Sequence, residues 1–257
     1  MTYRTLIKAA LASSVMLFAG TSIAMGRGGN CGSGGGCGEG QAKAGGDCQI
    51  SGLLNSPVIE LTSESATTLL QMREEEKLAR DVYAALGDKW GAKVFNITNA
   101  EQKHMNAMKK MLDRFGMEDP ITDDTRGVFQ SQAFTDLYDQ LIKSGSESLL
   151  EALKVGAKIE ELDLSDIQTA ADGVADPVLT KVYGNLTRAT RNHLRAFAAQ
   201  IDLAGSTYTA EHLTQEEFDT IAASDFEKGM GNGKGKGMGQ GKGQGKNANK
   251  DCGLCSG

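Results

Sequence analysis

Aromatic residues are scarce in this sequence, and so are Val and Ile, which strands favour. Aromatic side chains make up 5% of the 257 residues, with a single Trp and only 3 Pro. Sheet proteins rely on aromatic and β-branched side chains, so this composition argues against a β-sandwich. Ala, Leu, Met, Glu and Lys dominate the middle of the chain instead, and these residues favour helix. We therefore predict an all-α fold.

Glycine and cysteine are almost missing from the middle of the chain. Residues 61–227 hold only 9 of the 33 Gly, whereas residues 25–60 hold 12 and residues 228–257 hold 11. All five Cys lie in these two ends: Cys31, Cys37, Cys48, Cys252 and Cys255. A Gly-rich polar chain cannot bury enough apolar surface to offset its conformational entropy. We expect a helical core between a disordered Gly/Cys-rich segment (25–60) and a disordered Gly/Lys-rich tail (228–257).

The core has fewer positive than negative charges. Residues 61–227 carry 17 Lys+Arg against 29 Asp+Glu, a balance of −12. A protein that binds a phosphate backbone needs a basic face, so we do not expect nucleic acid as a partner. An acidic core suits cations. It is also compatible with helix faces that are simply solvated.

Long apolar runs are missing beyond the extreme N-terminus. Residues 1–24 have the pattern of a secretory signal peptide: Arg4 and Lys8, an apolar stretch, and small residues at Ser22 and Ala24. We predict cleavage after Ala24, a periplasmic or secreted protein, and no membrane span after processing. In an oxidising compartment the Cys are expected to form disulfides. Their odd number leaves one for a metal, a partner or another chain.

Cap and breaker residues predict four long helices with one long connection. The first covers about 63–86 and stops at Gly87; the second begins with a capping box from Thr98 to Glu101 and ends at Gly116. After an amphipathic piece near 131–143, the third covers about 146–171. The fourth starts at Asp176-Pro177 and continues to about 204. This order predicts a four-helix bundle over 61–205. A short accessory helix over 215–227, capped by Thr214, is predicted within the segment 206–227.

Two glycines fall inside the predicted helices. Gly156 lies in the third helix and Gly184 in the fourth. Each weakens its helix slightly or marks a close contact between helices.

Polar residues interrupt the apolar stripe of every long helix. At alternating spacings of three and four, the four stripes are apolar except near their middle, and the stripe of the fourth helix continues from its middle to Ala196. The interruptions are Glu76, Glu101 with His104, Glu160, and His193. A carboxylate in a bundle core is unfavourable unless a group of opposite charge pairs with it. Because all four helices carry such a residue at similar depth, a shared pair of metal ions is the expected partner.

These residues also carry a resemblance to a known family. The run from Arg73 to Tyr83 resembles the first helix of ferritin-like proteins such as rubrerythrins. With the segments 159–163 and 191–197, it more closely resembles the ferritin-like family called domain of unknown function 2202, over about 66–202. The resemblance implies a bundle with a dimetal centre and assigns no settled reaction.

The sequence departs from the family's ligand pattern at one position. Di-iron bundles carry a Glu-x-x-His motif on each of two helices, and Glu101 with His104 forms one. The second would need Glu at position 190, where this chain has Thr190. Asp163, three residues after Glu160, could supply a carboxylate, much as rubrerythrin-like third helices carry two. The expected ligands are then Glu76, Glu101, His104, Glu160, Asp163 and His193. A site for one metal remains an alternative.

Three functions stay open from the sequence. With carboxylate and imidazole ligands, iron (a di-iron centre) is the first expectation and manganese the second. The protein either reacts with a small oxidant such as oxygen or peroxide, binds metal without turnover, or has a structural role in the cell envelope. We expect solvated side chains at Glu74, Glu75, Glu161 and Asp166, and no role for His212. Whether the chain forms a homodimer is also open.

Overall fold

The computed structural model describes residues 56–228, and this part of the chain contains helices and no strand. The helices are α1 (Ser63–Trp90), a 3-10 turn (Lys93–Phe95), α2 (Thr98–Arg114), α3 (Gln132–Gly145), α4 (Leu149–Asp172), α5 (Pro177–Leu203) and α6 (Gln215–Ala223). The all-α prediction is confirmed. The predicted signal peptide, the five Cys, and nearly all of both Gly-rich segments lie outside the described residues.

Helix starts follow the predicted capping chemistry at two sites. Asp176 caps α5, where its side chain accepts hydrogen bonds from the backbone N–H groups of Val178 and Leu179. At α6, Thr214 and Glu217 form the reciprocal bonds of a capping box. These ends are fixed locally, because each cap uses residues within the first turn.

Three predicted helix ends are wrong. α1 continues through Gly87 to Trp90 and ends where Gly91 adopts φ 64°. α2 begins without a side-chain cap, because the Glu101 carboxylate pairs with His104 instead of turning back to the helix start. α6 stops at Ala223, since the chain beyond it returns to α5, where Glu227 binds Arg191 and Arg195.

The four long helices form a bundle of two antiparallel pairs. α1 packs along α2, and α4 packs along α5; α1 also contacts α4, and α2 contacts α5. α3 lies against α1 and α4, and α6 lies against α5. Among the described residues, none of the helices is long and apolar enough to cross a membrane.

Charged residues of α1 hold the long connection between α2 and α3. The Glu74 carboxylate accepts hydrogen bonds from the backbone N–H groups of Gln130 (2.7 Å) and Ser131 (3.1 Å). Lys77 is fully buried and donates to the Asp81 carboxylate at 2.5 Å and to the carbonyl oxygen of Thr125 at 2.8 Å. The expected solvation of Glu74 is therefore wrong, because this carboxylate satisfies the backbone of a loop.

The apolar interior of the bundle is divided into two clusters. One contains Tyr83, Phe95 and Phe197. The other contains Met72, Met108 and Tyr183. On α1 and α5, the polar residues Glu76 and His193 fall between members of the two clusters. A polar layer therefore crosses the middle of the bundle, closed by apolar side chains on both sides.

Candidate metal centre

The polar layer contains the side chains that interrupt the apolar stripes. Glu76 comes from α1, Glu101 and His104 from α2, Glu160 from α4 and His193 from α5, and every one is at least nine-tenths buried. Because each lies on the inward stripe of its helix, packing of the four stripes brings them together. These residues therefore lie at a similar depth in the bundle, as the sequence predicts.

Three of these residues form the first group, at the α1–α2 pair. His104 Nδ1 lies 2.8 Å from Glu101 Oε2 and 3.2 Å from Glu76 Oε2. The i, i+3 spacing of Glu101 and His104 places both side chains on one face of α2. Their ligand atoms lie within 4.8 Å of one another, so this group could hold a metal ion.

The second group lies at the α4–α5 pair and shares Glu101 with the first. His193 Nδ1 is 3.0 Å from Glu101 Oε1 and 3.5 Å from Glu160 Oε2. The other oxygen of Glu160 accepts a hydrogen bond of 2.5 Å from the Tyr83 hydroxyl, which orients the carboxylate. These three ligand atoms also lie within 4.8 Å of one another.

Glu101 therefore offers one oxygen to each group. The imidazole rings of His104 and His193, one in each group, have centroids 5.7 Å apart. Glu76 Oε1 is buried and lacks a hydrogen-bond partner, whereas the buried Glu101 Oε1 and His193 Nδ1 face each other at 3.0 Å. Buried polar atoms in native proteins are almost always satisfied, so an orphaned carboxylate oxygen in this layer fits a site that holds cations.

Asp163 lies beside the two groups and belongs to neither. Its Oδ2 accepts a hydrogen bond of 2.7 Å from the Thr190 hydroxyl, and its Oδ1 is buried without a partner. Thr190 stands where a ligand Glu would be needed, and it thus donates to Asp163, the carboxylate expected to replace that Glu. Of the six predicted ligands, the structure brings five into the two groups and places Asp163 next to them, where its role as a ligand stays a prediction.

The carboxyl groups of the layer titrate unusually because they are buried. Burial raises the pKa of Glu76 to about 7, against the opposing effect of His104. Burial is also the largest cause that raises the pKa of Glu160, and it raises the pKa of Asp163 strongly with the help of Glu76 and Glu160. For Glu101, burial acts in the same direction, but the two imidazolium groups prevail and lower its pKa.

The two histidines respond to the same carboxylates in the opposite sense. Burial by itself would lower their pKa values, yet Glu101 and Glu160 raise the pKa of His193 to about 10. Glu76 and Glu101 raise the pKa of His104 well above its usual range. When no metal is bound, protons on these groups therefore neutralise part of the buried negative charge, as cations would in a metal site.

Three residues expected in solvent are buried. Glu75, Glu161 and Asp166 are each less than 5% exposed. Glu161 accepts hydrogen bonds from the Tyr208 hydroxyl (2.6 Å) and the backbone of residues 211 and 213, so it holds the segment before α6. Glu75 and Asp166 face each other next to Gln71. Three consecutive Glu on a helix lie on more than one face, so they cannot all point to solvent. This is the only feature of the sequence that indicates the burial of Glu75.

One predicted core position is also wrong. Ala196 was placed on the inward stripe of the last long helix but is exposed, whereas Phe197 is buried. The interval from His193 to the next inward residue is four rather than three, and both intervals occur along a helical stripe.

The fold and the site define a class of protein: an all-helical bundle whose interior carries buried Glu/His clusters that could hold metal ions. The chain belongs to the family described as an uncharacterized protein domain (DUF2202), which matches residues 65–225.

An uncharacterized protein, MJ0754 of Methanocaldococcus jannaschii, is 42% identical over 182 residues, which is 70% of this chain and 97% of that protein. A crystal structure of hypothetical protein MJ0754 from Methanococcus jannaschii superposes with a TM-score of 0.65 at 40% identity, covering 67% of this chain and 99% of that chain.

Proposed function

We propose that this protein is an exported, ferritin-like metalloprotein with a dinuclear iron centre that reacts with oxygen or peroxide. The observation that carries the proposal is the pair of Glu/His groups joined by Glu101, whose two oxygens face different histidines. A carboxylate placed between two histidines is suited to bridge two cations. The orphaned Oε1 of Glu76 supports the same interpretation, because a cation would satisfy it.

The donor atoms favour iron, with manganese as the second choice. Both groups offer carboxylate oxygens and imidazole nitrogens, and neither contains a thiolate. Such a set suits iron or manganese better than the metals that select sulfur ligands. Glu76 and Glu160 would each hold one metal from opposite sides of the bundle, with His104 and His193 completing the two groups.

Reduced iron held at this site would supply two electrons for the reduction of oxygen or peroxide. The chain's own residues position and isolate the site. The Tyr83 hydroxyl fixes the Glu160 carboxylate by a hydrogen bond of 2.5 Å. The apolar clusters around Phe197 and Met108 exclude water from above and below the layer, which strengthens electrostatic interactions within it.

A second candidate, metal binding without turnover, is favoured by the enclosure of the site. His104 is 7% exposed and His193 is 8% exposed, so an oxidant has little direct access to either ring. A purely structural role is less well supported, because a hydrogen-bond network in a core normally satisfies its own members, whereas Glu76 keeps an orphaned oxygen.

Metal analysis and rapid kinetics test the proposal. The mature protein, purified without chelators, should contain iron in elemental analysis, and metal-free protein should take up Fe²⁺ without air. Mixing the ferrous protein with peroxide should change the near-ultraviolet absorbance faster than free Fe²⁺ in the same buffer. Uptake of iron with no such acceleration would leave metal binding alone, and no uptake of iron or manganese would reject the metal centre.

Export is the remaining part of the proposal and rests on the sequence of residues 1–24. Expression of the full chain in a bacterium, followed by intact-mass analysis of the periplasmic fraction, should give a protein that begins at Met25. Retention of residues 1–24 in the exported protein would contradict the predicted cleavage site.

A further inference from the structure

A cleft opens on the surface between the first half of α1 and the last part of α4. Its volume is about 670 Å³, and Thr68 and Thr169 are among the small hydroxyl side chains that line it. Its wall also includes Gln71 and Asp166, which are only 5% and 4% exposed. The cleft therefore leads from exposed hydroxyl groups to buried polar side chains.

Behind this wall lies a carboxylate that the metal centre described above does not use. Gln71 Nε2 donates to Glu75 Oε1 and to Asp166 Oδ2, both at 3.4 Å, so the amide lies between two carboxyl groups. The other oxygen of Glu75, Oε2, is buried and has no hydrogen-bond partner. A carboxylate oxygen left in this state is unfavourable by itself, and a passing cation would satisfy it.

The carboxyl groups continue from Glu75 to the Glu/His groups. On α4, Asp163 is one turn from both Asp166 and Glu160, and one of its oxygens is also buried without a partner. Because residues three apart lie on one side of a helix, these three carboxyl groups follow one another along α4. They extend from the Gln71 amide, which donates to Asp166, to the second Glu/His group, which contains Glu160.

We propose that this cleft is the entrance through which divalent cations reach the Glu/His groups, with Asp166, Glu75 and Asp163 as successive transient ligands. The proposal rests on the proposed function, since it needs a metal to be delivered. A hydrated cation would exchange water for carboxylate oxygens one at a time along this line. The Gln71 amide lies between the first two carboxyl groups and must turn aside as the cation passes.

The apolar clusters support a lateral entrance. They close the polar layer along the bundle axis on both sides, and a charged ion would have to leave its water behind to cross them. The cleft instead approaches the layer from the side, between α1 and α4, past side chains that can replace the water ligands.

The first test blocks the cleft at its mouth. Metal-free Thr169→Arg protein is mixed with Fe²⁺ under anaerobic conditions, and unbound iron is measured over time with a colorimetric ferrous chelator. Gln168→Arg is the matched control, because residue 168 is exposed on the same helix and does not line the cleft. We expect uptake about tenfold slower for Thr169→Arg, because its side chain places bulk and positive charge in the cleft itself. The control adds the same charge outside the cleft and should be nearly unchanged.

The second test removes one relay carboxylate without adding bulk. Asp166→Asn should slow both uptake of Fe²⁺ and its release to the chelator by a similar factor, because a residue on the path changes rates without changing the final iron content. Asp202→Asn removes the same charge from an exposed site on α5 and should behave like the unmodified protein. Circular dichroism confirms that each variant is folded.

The outcomes separate this proposal from the metal centre itself. Absence of iron uptake by the unmodified protein would reject the proposed function. Normal final iron content with equal uptake rates for Thr169→Arg, Gln168→Arg and Asp166→Asn would overturn the entrance and leave the metal centre intact.

Discussion

The Thr190 hydroxyl donates a hydrogen bond of 2.7 Å to the Asp163 carboxylate, across the contact between α5 and α4. Thr190 stands where a second Glu-x-x-His motif would have its Glu, and Asp163 is the carboxylate that the sequence offers in exchange. Thr190 and Asp163, the two residues that depart from a symmetric site, thus contact each other directly. The pair keeps one Asp163 oxygen satisfied and leaves the other, Oδ1, buried without a partner beside the two Glu/His groups.

Thr190→Val should lower the free energy of unfolding of the metal-free protein by about 1–3 kcal/mol, because it leaves a buried carboxyl group without its hydrogen bond. Thr187→Val is the control, since the Thr187 hydroxyl donates only to a backbone carbonyl one turn earlier. Urea denaturation followed by circular dichroism measures both changes. Equal losses of unfolding free energy in the two variants would show that the Thr190–Asp163 hydrogen bond contributes no more than the side chain–backbone bond of Thr187.

The shared position of Glu101 predicts a graded loss of metal. Glu101→Ala should remove nearly all bound metal, because both groups lose a ligand, whereas Glu76→Ala and Glu160→Ala should each retain about half. His104→Ala removes a ligand of the first group only and should likewise retain about half. Elemental analysis gives the metal content, and circular dichroism should show nearly unchanged helix, because the apolar clusters stabilise the bundle.

Glu118→Ala, at an exposed residue, is the control for these ligand variants. If Glu101→Ala keeps as much metal as Glu118→Ala, Glu101 is not a ligand. If Glu76→Ala and Glu160→Ala both lose all metal, the two groups act as one site rather than two.

The two glycines inside helices should respond to alanine in opposite directions. A Cβ atom at Gly156 would lie 2.2 Å from the Phe197 ring, so Gly156→Ala should lower the stability by about 1–3 kcal/mol through overpacking. A Cβ atom at Gly184 would meet nothing within 4 Å. Gly184→Ala should therefore raise the stability by about 0.5–1 kcal/mol, since alanine is the better helix former.

Thermal unfolding of these two variants and the unmodified protein gives the comparison. A double variant, Gly156→Ala with Phe197→Leu, should recover part of the stability lost by Gly156→Ala, because the smaller side chain leaves room for the methyl group. Destabilisation by both alanine substitutions would contradict the assigned difference in packing.

The pair of arginines on α5 makes stability depend on acid pH. Hydrogen bonds from Arg191 and Arg195 lower the pKa of Glu227 from its usual value of 4.5 to about 2. The charged Glu227 carboxylate therefore contributes its full stabilisation above about pH 4.5. This contribution is lost as the pH falls from there toward about 2. Glu227→Gln should cost about 1 kcal/mol at neutral pH, since the pair is partly exposed.

Urea denaturation at neutral pH and near pH 2 measures this contribution. The difference between Glu227→Gln and the unmodified protein should shrink at the lower pH. Glu216→Gln, at an exposed residue of α6, should show little difference at either pH. A difference for Glu227→Gln that is unchanged at low pH would mean that it arises from packing and not from the charge.

The sequence by itself determined the helical class, the order of the long helices and five of the residues in the polar layer. Helix formation depends on local propensity and on caps such as Asp176, and these act within one turn. The inward stripe repeats with the helix period, so a polar residue such as Glu160 or His193 is visible as an interruption of that period. Residues that follow such short-range rules can be predicted without knowing their neighbours in space.

Only the tertiary structure decided what lies beside the stripes. It showed that Glu101 offers its oxygens to two different histidines, that Gly156 is in close contact with a ring while Gly184 is not, and that Glu75 is buried next to Asp166. Whether a flanking carboxylate meets water, a loop or another carboxylate depends on which helices pack against it. That information is held in contacts between residues far apart in the chain, and the local pattern of charge does not encode it.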